Sequence, residues 1–168
     1  DDRRARADEL GLPPNVVESI YRLVLLASRE HQAALRTEVP LDLEALTVAV
    51  IGGHGGMGGL IARIFSDLGH TVLIADAGTE LSNVEAAQTA DVVVVSVPID
   101  RTIDVIREVG PHVRAEGLLM DVTSLKEQPM AAMLAATRAS VAGTHPMFGP
   151  GVHTLQGQRF VLCEGRGA

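Results

Sequence analysis

The 168-residue sequence has few aromatic side chains and one cysteine, and each shortage narrows what the protein can be. Aromatic residues make up 2% of the chain and Trp is absent, so the core must be built from Val, Leu, Ile, Ala and Met. The single cysteine, Cys163, excludes an intrachain disulfide, which fits a reducing compartment such as the cytoplasm. Cys163 lies in a strand-like run, where we expect a buried structural thiol.

Other absences concern partners. The sequence shows no signal peptide and no apolar run long enough to span a bilayer, so we expect no membrane partner. A formal net charge of -7 argues against nucleic acid, which favours a basic face. With 46% hydrophobic and 21% charged residues, a folded domain is expected. The chain starts at Asp1 without a Met and stops just after a predicted strand, which suggests a fragment of a longer polypeptide.

Residues 1–44 differ from the rest of the sequence, because they show a helical pattern and no strand-like run. Apolar residues recur at helical spacing from Val16 to about Arg36, after a turn containing Pro13 and Pro14. A single amphipathic helix cannot form a domain alone, so it either packs on the following domain or is the remnant of a helical module. Ser28 and Gln32 lie one turn apart on it, and spacing alone makes them solvated surface residues.

A glycine-rich stretch follows the apolar run from Val48 to Ile51, which reads as a buried parallel strand. Its pattern, Gly53-x-Gly55-x-x-Gly58, fits the dinucleotide-binding fingerprint. The first glycine allows the turn, the second allows backbone approach to a pyrophosphate, and the third allows close helix packing. The N–H groups and dipole of the next helix attract phosphates. Glycine-rich turns also serve plain α/β packing, so the context matters.

The context is a second predicted strand, Thr71 to Ala75, with Asp76 at its end. An acid about twenty residues after the glycines is where the ribose hydroxyls of the cofactor are bound. The plain alternative is a turn carboxylate. Asp76 would repel a 2′-phosphate and its neighbours Ala77 and Gly78 carry no cation, so we expect NAD rather than NADP.

Further strands are predicted at residues 91–98, 117–120, 140–143 and 159–163, with helical spacing between most of them. This alternation predicts a Rossmann-like doubly wound parallel sheet, an α/β fold preceded by a long N-terminal helix. Ligands of such sheets bind beyond the carboxyl ends of the strands. We therefore expect the glycine loop, Asp76, Ser96, residues 121–126 and His145 to converge there.

His145 is the best candidate for proton transfer, because histidine exchanges a proton near neutral pH. The alternative is a structural histidine in a proline-rich turn. Ser96 either hydrogen-bonds a substrate hydroxyl or His145, or caps the strand exit before Pro98. Lys126 either supplies positive charge near an anionic substrate or solvates a helix start.

The other histidines considered offer no metal-ligand spacing, so we expect no metal site and assign them to turns or the surface. They are His54, His70, His112 and His153.

Four stretches, in order and covering about residue 46 to the end, resemble the bacterial prephenate dehydrogenases of tyrosine biosynthesis. They are Gly52–Gly58, Val95–Ile99, Asp121–Lys126 and Gly143–Pro150, of which the string His-Pro-Met-Phe-Gly-Pro is the most specific. Residues 10–22, with Ser28 and Gln32, are similar to the last helix of the all-helical chorismate mutases. The sequence therefore resembles the bifunctional fusion of mutase and dehydrogenase, with residues 1–44 as the mutase remnant and 45–168 as the NAD-binding domain.

The resemblance implies NAD-dependent oxidative decarboxylation of prephenate to 4-hydroxyphenylpyruvate. His145 is then the base, Ser96 holds the substrate hydroxyl and Lys126 supports the polar site. The residues it assigns to the cofactor are Gly53, His54, Gly55, Gly56, Met57, Gly58, Asp76, Ser96, Val97 and Pro98.

Family members continue into a C-terminal helical domain that supplies a dimer interface and a substrate-binding arginine. This chain stops before it, so we expect NAD binding with poor turnover, and no mutase activity because the earlier mutase helices are absent. Arogenate dehydrogenase, a non-catalytic NAD-binding module and a 3-hydroxy-acid dehydrogenase remain as alternatives.

Overall fold

The computed structural model describes residues 2–36, 44–152, 155 and 157–167. Its α-helices are α1 (Asp2–Glu9), α2 (Pro14–Arg36), α3 (Gly56–Asp67), α4 (Asn83–Thr89), α5 (Thr102–Val109) and α6 (Glu127–Ala136). Its strands are β1 (Thr47–Ile51), β2 (Thr71–Ala75), β3 (Val92–Val95), β4 (Leu118–Asp121), β5 (Ser140–Pro146) and β6 (Phe160–Glu164). A short 3-10 helix, Gly110–His112, follows α5.

The six strands form one sheet in the order β2-β1-β3-β4-β5-β6. Neighbouring strands from β2 to β5 pair in parallel, and each of the helices α3 to α6 makes one crossover between them. The predicted Rossmann-like α/β fold is therefore confirmed. The strand order reverses between β1 and β3, which is where open α/β sheets bind their ligands.

The last strand departs from the predicted parallel sheet, because β6 runs antiparallel to β5. The described residues between these strands form no helix, and parallel strands need a crossover connection whereas antiparallel strands join directly. β6 is a mostly exposed edge strand. Cys163 on it is only half-buried, so the expectation of a buried thiol is wrong.

The core lies on both faces of the sheet. Along β1, Val48 and Val50 belong to a cluster with Ile61 of α3, whereas Ala49 and Ile51 belong to a cluster on the opposite face with Ile106 of α5. Side chains alternate between the faces of a strand, so a strand covered on both faces is apolar throughout. This is why the sequence of β1 shows no polar alternation.

By its internal contacts the chain divides into a unit that holds the two N-terminal helices and a unit that holds the sheet. In the first unit, α1 packs on α2 with Ala7 buried, and Arg4 pairs with Glu18 at 2.9 Å. The hydrogen bond from Arg22, together with the charges of Arg22 and Arg4, lowers the pKa of the Glu18 carboxyl below its usual range.

The long N-terminal helix is confirmed as α2. Ser28 is exposed on it, as spacing suggested, whereas the side chain of Gln32 lies outside the described residues. The predicted linker from Leu41 to Ala45 also falls mostly outside them. Among the α2 side chains that the structure describes, the large exposed apolar ones are Val16, Ile20, Tyr21, Leu23, Val24, Leu25 and Leu26.

Candidate functional site

The glycine loop follows β1 and makes its turn at Gly52. This residue has a φ of 84°, in the left-handed region that favours glycine. A β-carbon on Gly52 would overlap the Ser96 carbonyl oxygen and lie 2.9 Å from Cγ1 of Val97. Gly53, which the fingerprint assigns to the turn, is not in that region; a side chain there would meet Ile74 of β2 at 2.8 Å. The turn glycine is therefore one residue earlier than predicted.

The helix after the loop packs directly on it. A β-carbon on Gly58 would overlap the Gly52 carbonyl oxygen and lie 2.9 Å from its carbonyl carbon and 3.0 Å from the α-carbon of Gly53. The predicted close approach at the third glycine is thus observed. α3 begins at Gly56 after the N-cap residue Gly55, and no side chain caps it. Its first N–H groups and its dipole therefore present a site suited to an anion.

Asp76 follows β2, and its carboxylate reaches the glycine loop. Oδ2 accepts a hydrogen bond from the backbone N–H of His54 at 2.8 Å, and Oδ1 accepts one from the N–H of Ala77 at 2.7 Å. The structure therefore brings together the acid and the loop that the fingerprint predicts as partners. Ala77 and Gly78 are exposed and bring no cation to the carboxylate.

Ser96 and the two residues after it lie where the strand order reverses. The N–H of Ser96 donates to the carbonyl of Ile51 at 2.8 Å, at the point where the pairing of β1 with β3 ends. Val97 is half-buried against the core, and the carbonyl of Pro98 accepts a hydrogen bond from the Thr102 hydroxyl that opens α5. Within the described part of the chain, the half-buried Ser96 hydroxyl makes no hydrogen bond to His145.

His145 lies inside β5, so its predicted position after a strand is wrong. The parallel partner β4 ends at Asp121, opposite Gly143, but β5 continues because β6 pairs with it on the other side, with His145 opposite Val161. The sequence pattern missed this extension because the extra pairing comes from a strand distant in sequence. His145 still lies past the carboxyl end of β4, half-buried, at the predicted edge of the sheet.

Lys126 stands at the start of α6, and its ammonium group is held inside the protein. Nζ donates to Oδ2 of Asp121 at 2.6 Å and to the carbonyl oxygen of Thr144 at 2.7 Å. The side chain of Lys126 is 14% exposed and that of Asp121 is fully buried. The ammonium group is thus paired with a buried carboxylate and bonded to the residue that precedes His145, and its proposed role beside an anionic substrate stays a prediction.

The segment after His145 returns to the glycine loop. The N–H of Met147 donates to the carbonyl of Arg159 at 2.8 Å, and the ring of Phe148 packs edge-on against Phe160 with centroids 5.0 Å apart. A β-carbon on Gly56 would lie 3.0 Å from Cγ of Pro150, so Pro150 touches the start of α3. The segment His145–Pro150 thereby joins β5 to the loop at one edge of the sheet.

Three residues of this edge have roles that the sequence analysis did not assign. Gly52 was overlooked because two successive glycines both suit the turn. The contact of Asp121 with Lys126 is only weakly indicated in the sequence, by a carboxylate at the end of an apolar strand five residues before a lysine. Nothing in the sequence indicates the contact of Thr144 with Lys126, because Thr144 contributes a backbone carbonyl, which every residue has.

Three other histidines lie in turns or at the surface. His54 and His112 are exposed, and Nδ1 of His70 accepts the backbone N–H of Leu46 at 3.2 Å. The prediction for His153 falls outside the described residues. Among the described residues, no three His, Cys, Asp or Glu side chains gather as metal ligands. No helix in the described ranges combines the length and the apolar character needed to cross a membrane.

The strand-order reversal, the uncapped helix behind a tight glycine turn and the acid after β2 define a nucleotide-binding α/β domain. A family model described as "Prephenate dehydrogenase, nucleotide-binding domain" matches residues 61–166, more than half of the chain. The chain belongs to this family.

The chain is also similar to individual proteins. The T-protein of Haemophilus influenzae is 33% identical over 98% of this chain and 43% of its own length. A probable arogenate/prephenate dehydrogenase of Methanocaldococcus jannaschii is 41% identical over 70% of this chain and 30% of its own length. The solved structure of prephenate dehydrogenase from Aquifex aeolicus covers 71% of this chain and 52% of its own, with a TM-score of 0.59 at 16% identity. The chain thus spans less than half the length of these two sequence relatives.

Proposed function

We propose that the protein carrying these residues catalyses NAD-dependent oxidative decarboxylation of prephenate to 4-hydroxyphenylpyruvate, a step of tyrosine biosynthesis. The observation that carries this proposal is the meeting of the glycine loop, Ser96 and the segment His145–Pro150 at one edge of the sheet, through the contacts of Gly52 and Gly56. Membership of the prephenate dehydrogenase family supports the substrate.

The residues present fit NAD. The uncapped N-terminus of α3 suits the pyrophosphate, and Gly58 keeps the helix close enough to the loop for its N–H groups to reach it. Asp76 suits the ribose hydroxyls and disfavours the 2′-phosphate of NADP. When bound, NAD supplies the acceptor for a hydride. The residues proposed to hold it are Gly53, His54, Gly55, Gly56, Met57, Gly58, Asp76, Ser96, Val97 and Pro98.

In this proposal the imidazole of His145 accepts a hydrogen bond from the hydroxyl on the ring carbon that loses the hydride. Drawing on that proton raises electron density at the carbon and favours hydride departure. The ring carboxylate leaves as carbon dioxide, and its bonding electrons complete the aromatic ring. The product is a phenol, so the proton returns to the same oxygen. Ser96 helps to hold the hydroxyl, and Lys126 supports the site from behind.

We propose further that the parent polypeptide is a fusion with chorismate mutase, as its likeness to a T-protein supports. Residues 1–44 then end the mutase part, with Ser28 and Gln32 as remnants of its pocket, and residues 45–168 form the NAD-binding domain. This chain would have no mutase activity. The parent protein would be a cytoplasmic homodimer, joined through a C-terminal helical domain, without nucleic-acid or membrane partners.

Arogenate is the second candidate substrate, because the name of the Methanocaldococcus relative covers both. Arogenate carries an amino group where prephenate has a keto group, away from the carbon that His145 would serve. Turnover of both substrates by the complete protein, measured as kcat/KM, decides between them. A higher kcat/KM for arogenate would reassign the substrate and leave the roles of the residues unchanged.

The test of the main proposal is NADH formation by the complete protein, followed at 340 nm with prephenate and NAD. His145→Asn removes the base, and we expect a loss of about 10²–10⁴-fold in kcat. His112→Asn is the matched control, since it makes the same change at an exposed histidine in the 3-10 helix before β4. Wild-type protein that makes no NADH with either substrate would refute the function. Equal activity of the two variants would refute the role of His145.

A further inference from the structure

Lys126 is the only lysine among 14 cationic residues of the chain, and all the others are arginines. It is also held more tightly than a surface lysine, with an ammonium group that donates to Asp121 and to the Thr144 carbonyl. A compact ammonium group on an unbranched stem can reach two acceptors in a narrow space, whereas the planar guanidinium of arginine needs a wider one. The two contacts therefore suit the ammonium group of a lysine.

The narrow space is set by β5 and α6. A β-carbon on Gly143 would lie 3.1 Å from Cδ of Lys126 and 2.6 Å from Sδ of Met130. A β-carbon at Gly143 would therefore force the lysine stem to shift by a few tenths of an ångström and the Met130 side chain to move. Because Gly143 has no side chain, the stem of Lys126 lies directly over it and Nζ reaches the carbonyl oxygen of Thr144.

The bond from Lys126 to Thr144 replaces a missing strand partner. The pairing of β4 with β5 ends at Asp121 opposite Gly143, so Thr144 extends past the last residue of β4. Its carbonyl is met by the ammonium group, and its hydroxyl donates back to the carbonyl of Asp121 at 2.8 Å. Two bonds on one residue thus attach the free side of β5 to the end of β4, directly before His145.

Asp121 anchors this attachment from inside the core. It is fully buried, and its Oδ2 accepts hydrogen bonds from Lys126 Nζ, from the Thr123 N–H at 3.1 Å and from the Thr123 hydroxyl. A buried carboxylate with several donors on one oxygen holds the ammonium group in a single place. Asp121, Lys126 and Thr144 therefore form one rigid connection between β4 and β5.

We propose that Lys126, held by Asp121, is a positioning residue that fixes the backbone at Thr144 and thereby aims the imidazole of His145. It does not bind the substrate. This inference rests on the proposed function, because it concerns how the base of that reaction is held. A displacement of about 1 Å in a reacting group can lower the rate about 10²-fold. Loss of this attachment should therefore lower kcat even though Lys126 does not contact the substrate.

The test uses steady-state kinetics of the complete protein with prephenate and NAD. Lys126→Met alone leaves the Asp121 carboxylate buried without its cation and endangers folding. The main variant is therefore the pair Lys126→Met with Asp121→Asn, which removes both charges and keeps both shapes. We expect kcat to fall about 10²-fold. KM for prephenate should change less than about threefold, because the interaction removed is not one with the bound substrate. Gln128→Ala, at an exposed residue in the first turn of α6, is the matched control and should change neither constant.

Asp121→Asn alone distinguishes the ion pair between Asp121 and Lys126 from the hydrogen bond between Lys126 and Thr144. It leaves Lys126, which is 14% exposed, able to donate to the Thr144 carbonyl and to the new amide oxygen, so kcat should fall less than in the double variant. A double variant whose KM rises while kcat holds would show that Lys126 binds substrate, and a double variant equal to wild type would show a plain structural contact; either result overturns the inference. Wild-type protein without activity on prephenate or arogenate would instead refute the proposed function and the inference together.

Discussion

Two adjacent glycines of α3 provide a direct test of the contact between the helix and the glycine loop. In Gly58→Ala the new β-carbon would overlap the Gly52 carbonyl oxygen and lie 2.9 Å from the carbonyl carbon, and these are backbone atoms that cannot turn aside. In Gly59→Ala the new β-carbon would lie 3.4 Å from the carbonyl oxygen of Gly53, an ordinary contact. The second variant is thus a matched control for the first.

The two substitutions should change the free energy of unfolding in opposite directions. Alanine in a helix interior is favoured over glycine by about 0.5–1 kcal/mol, so Gly59→Ala should stabilise the domain by about that amount. Gly58→Ala has the same gain but adds an overpacking cost of about 1–3 kcal/mol, and the rigid neighbours place it at the upper end. The two variants should therefore differ by about 2–3 kcal/mol, or about 4–12 °C in Tm.

Circular dichroism is the appropriate probe of urea and thermal unfolding, because the chain has no Trp and one Tyr. Calorimetric titration with NAD is the second measurement. If helix and loop separate in Gly58→Ala, a charge-assisted hydrogen bond worth about 1.5–3 kcal/mol is lost, and Kd rises at least about tenfold. Gly59→Ala should bind NAD as wild type does. Equal stability of the two variants would refute the close packing of α3 on Gly52.

Three further predictions concern other contacts. Asp76→Ala should weaken NAD binding in calorimetry and narrow the preference for NAD over NADP, because the carboxylate that repels a 2′-phosphate is gone; unchanged binding of both nucleotides would contradict the assignment of Asp76. Asp91 accepts the N–H of Thr47 at 2.9 Å and pairs with Arg114 at 2.7 Å. Asp91→Ala should therefore lower the free energy of unfolding by about 1–3 kcal/mol, whereas Arg114→Ala should lower it by at most about 1 kcal/mol. A larger loss in Arg114→Ala would show that the bond to Thr47 is not the more important contact of Asp91. In the capping box of α4, the Ser82 hydroxyl and then its backbone N–H lower the pKa of Glu85 below the usual range. Its stabilising contribution is present at neutral pH and is lost as pH falls through that lowered pKa, so Glu85→Gln should be less stable than wild type at pH 7 and equal to it in strong acid; a gap that persists in acid would contradict this.

Much of the fold was predictable because local signals agree with one another. β2 was predicted with the bounds that it has, since its apolar run lies between His70 and Asp76. α2 was also predicted closely, because a proline turn precedes a long helical period. By contrast, the sequence pattern predicts an end for β5 that is three residues too early. Its last residues are in a strand only because β6 pairs with them, and short-range patterns carry no information on that partner.

The same distinction holds for the candidate site. Asp76 and the glycine loop were predicted as partners because the fingerprint spacing reflects one strand, one turn and one helix of fixed length. The state of Lys126 was not predictable. Whether a lysine is free or paired depends on what lies within about 3 Å of its nitrogen, and here one acceptor is the carbonyl of Thr144, 18 residues away.

By itself the sequence determined the fold class, the order of the strands along the chain, the glycine loop with its acid, and the family. These depend on side-chain periodicity and short motifs, which are local properties. Only the tertiary structure decided that the turn is at Gly52, that His145 lies within a strand, and that Asp121 holds Lys126 against Thr144. Each depends on atoms from distant segments meeting within a few ångströms, and the packing of the whole sheet sets those distances.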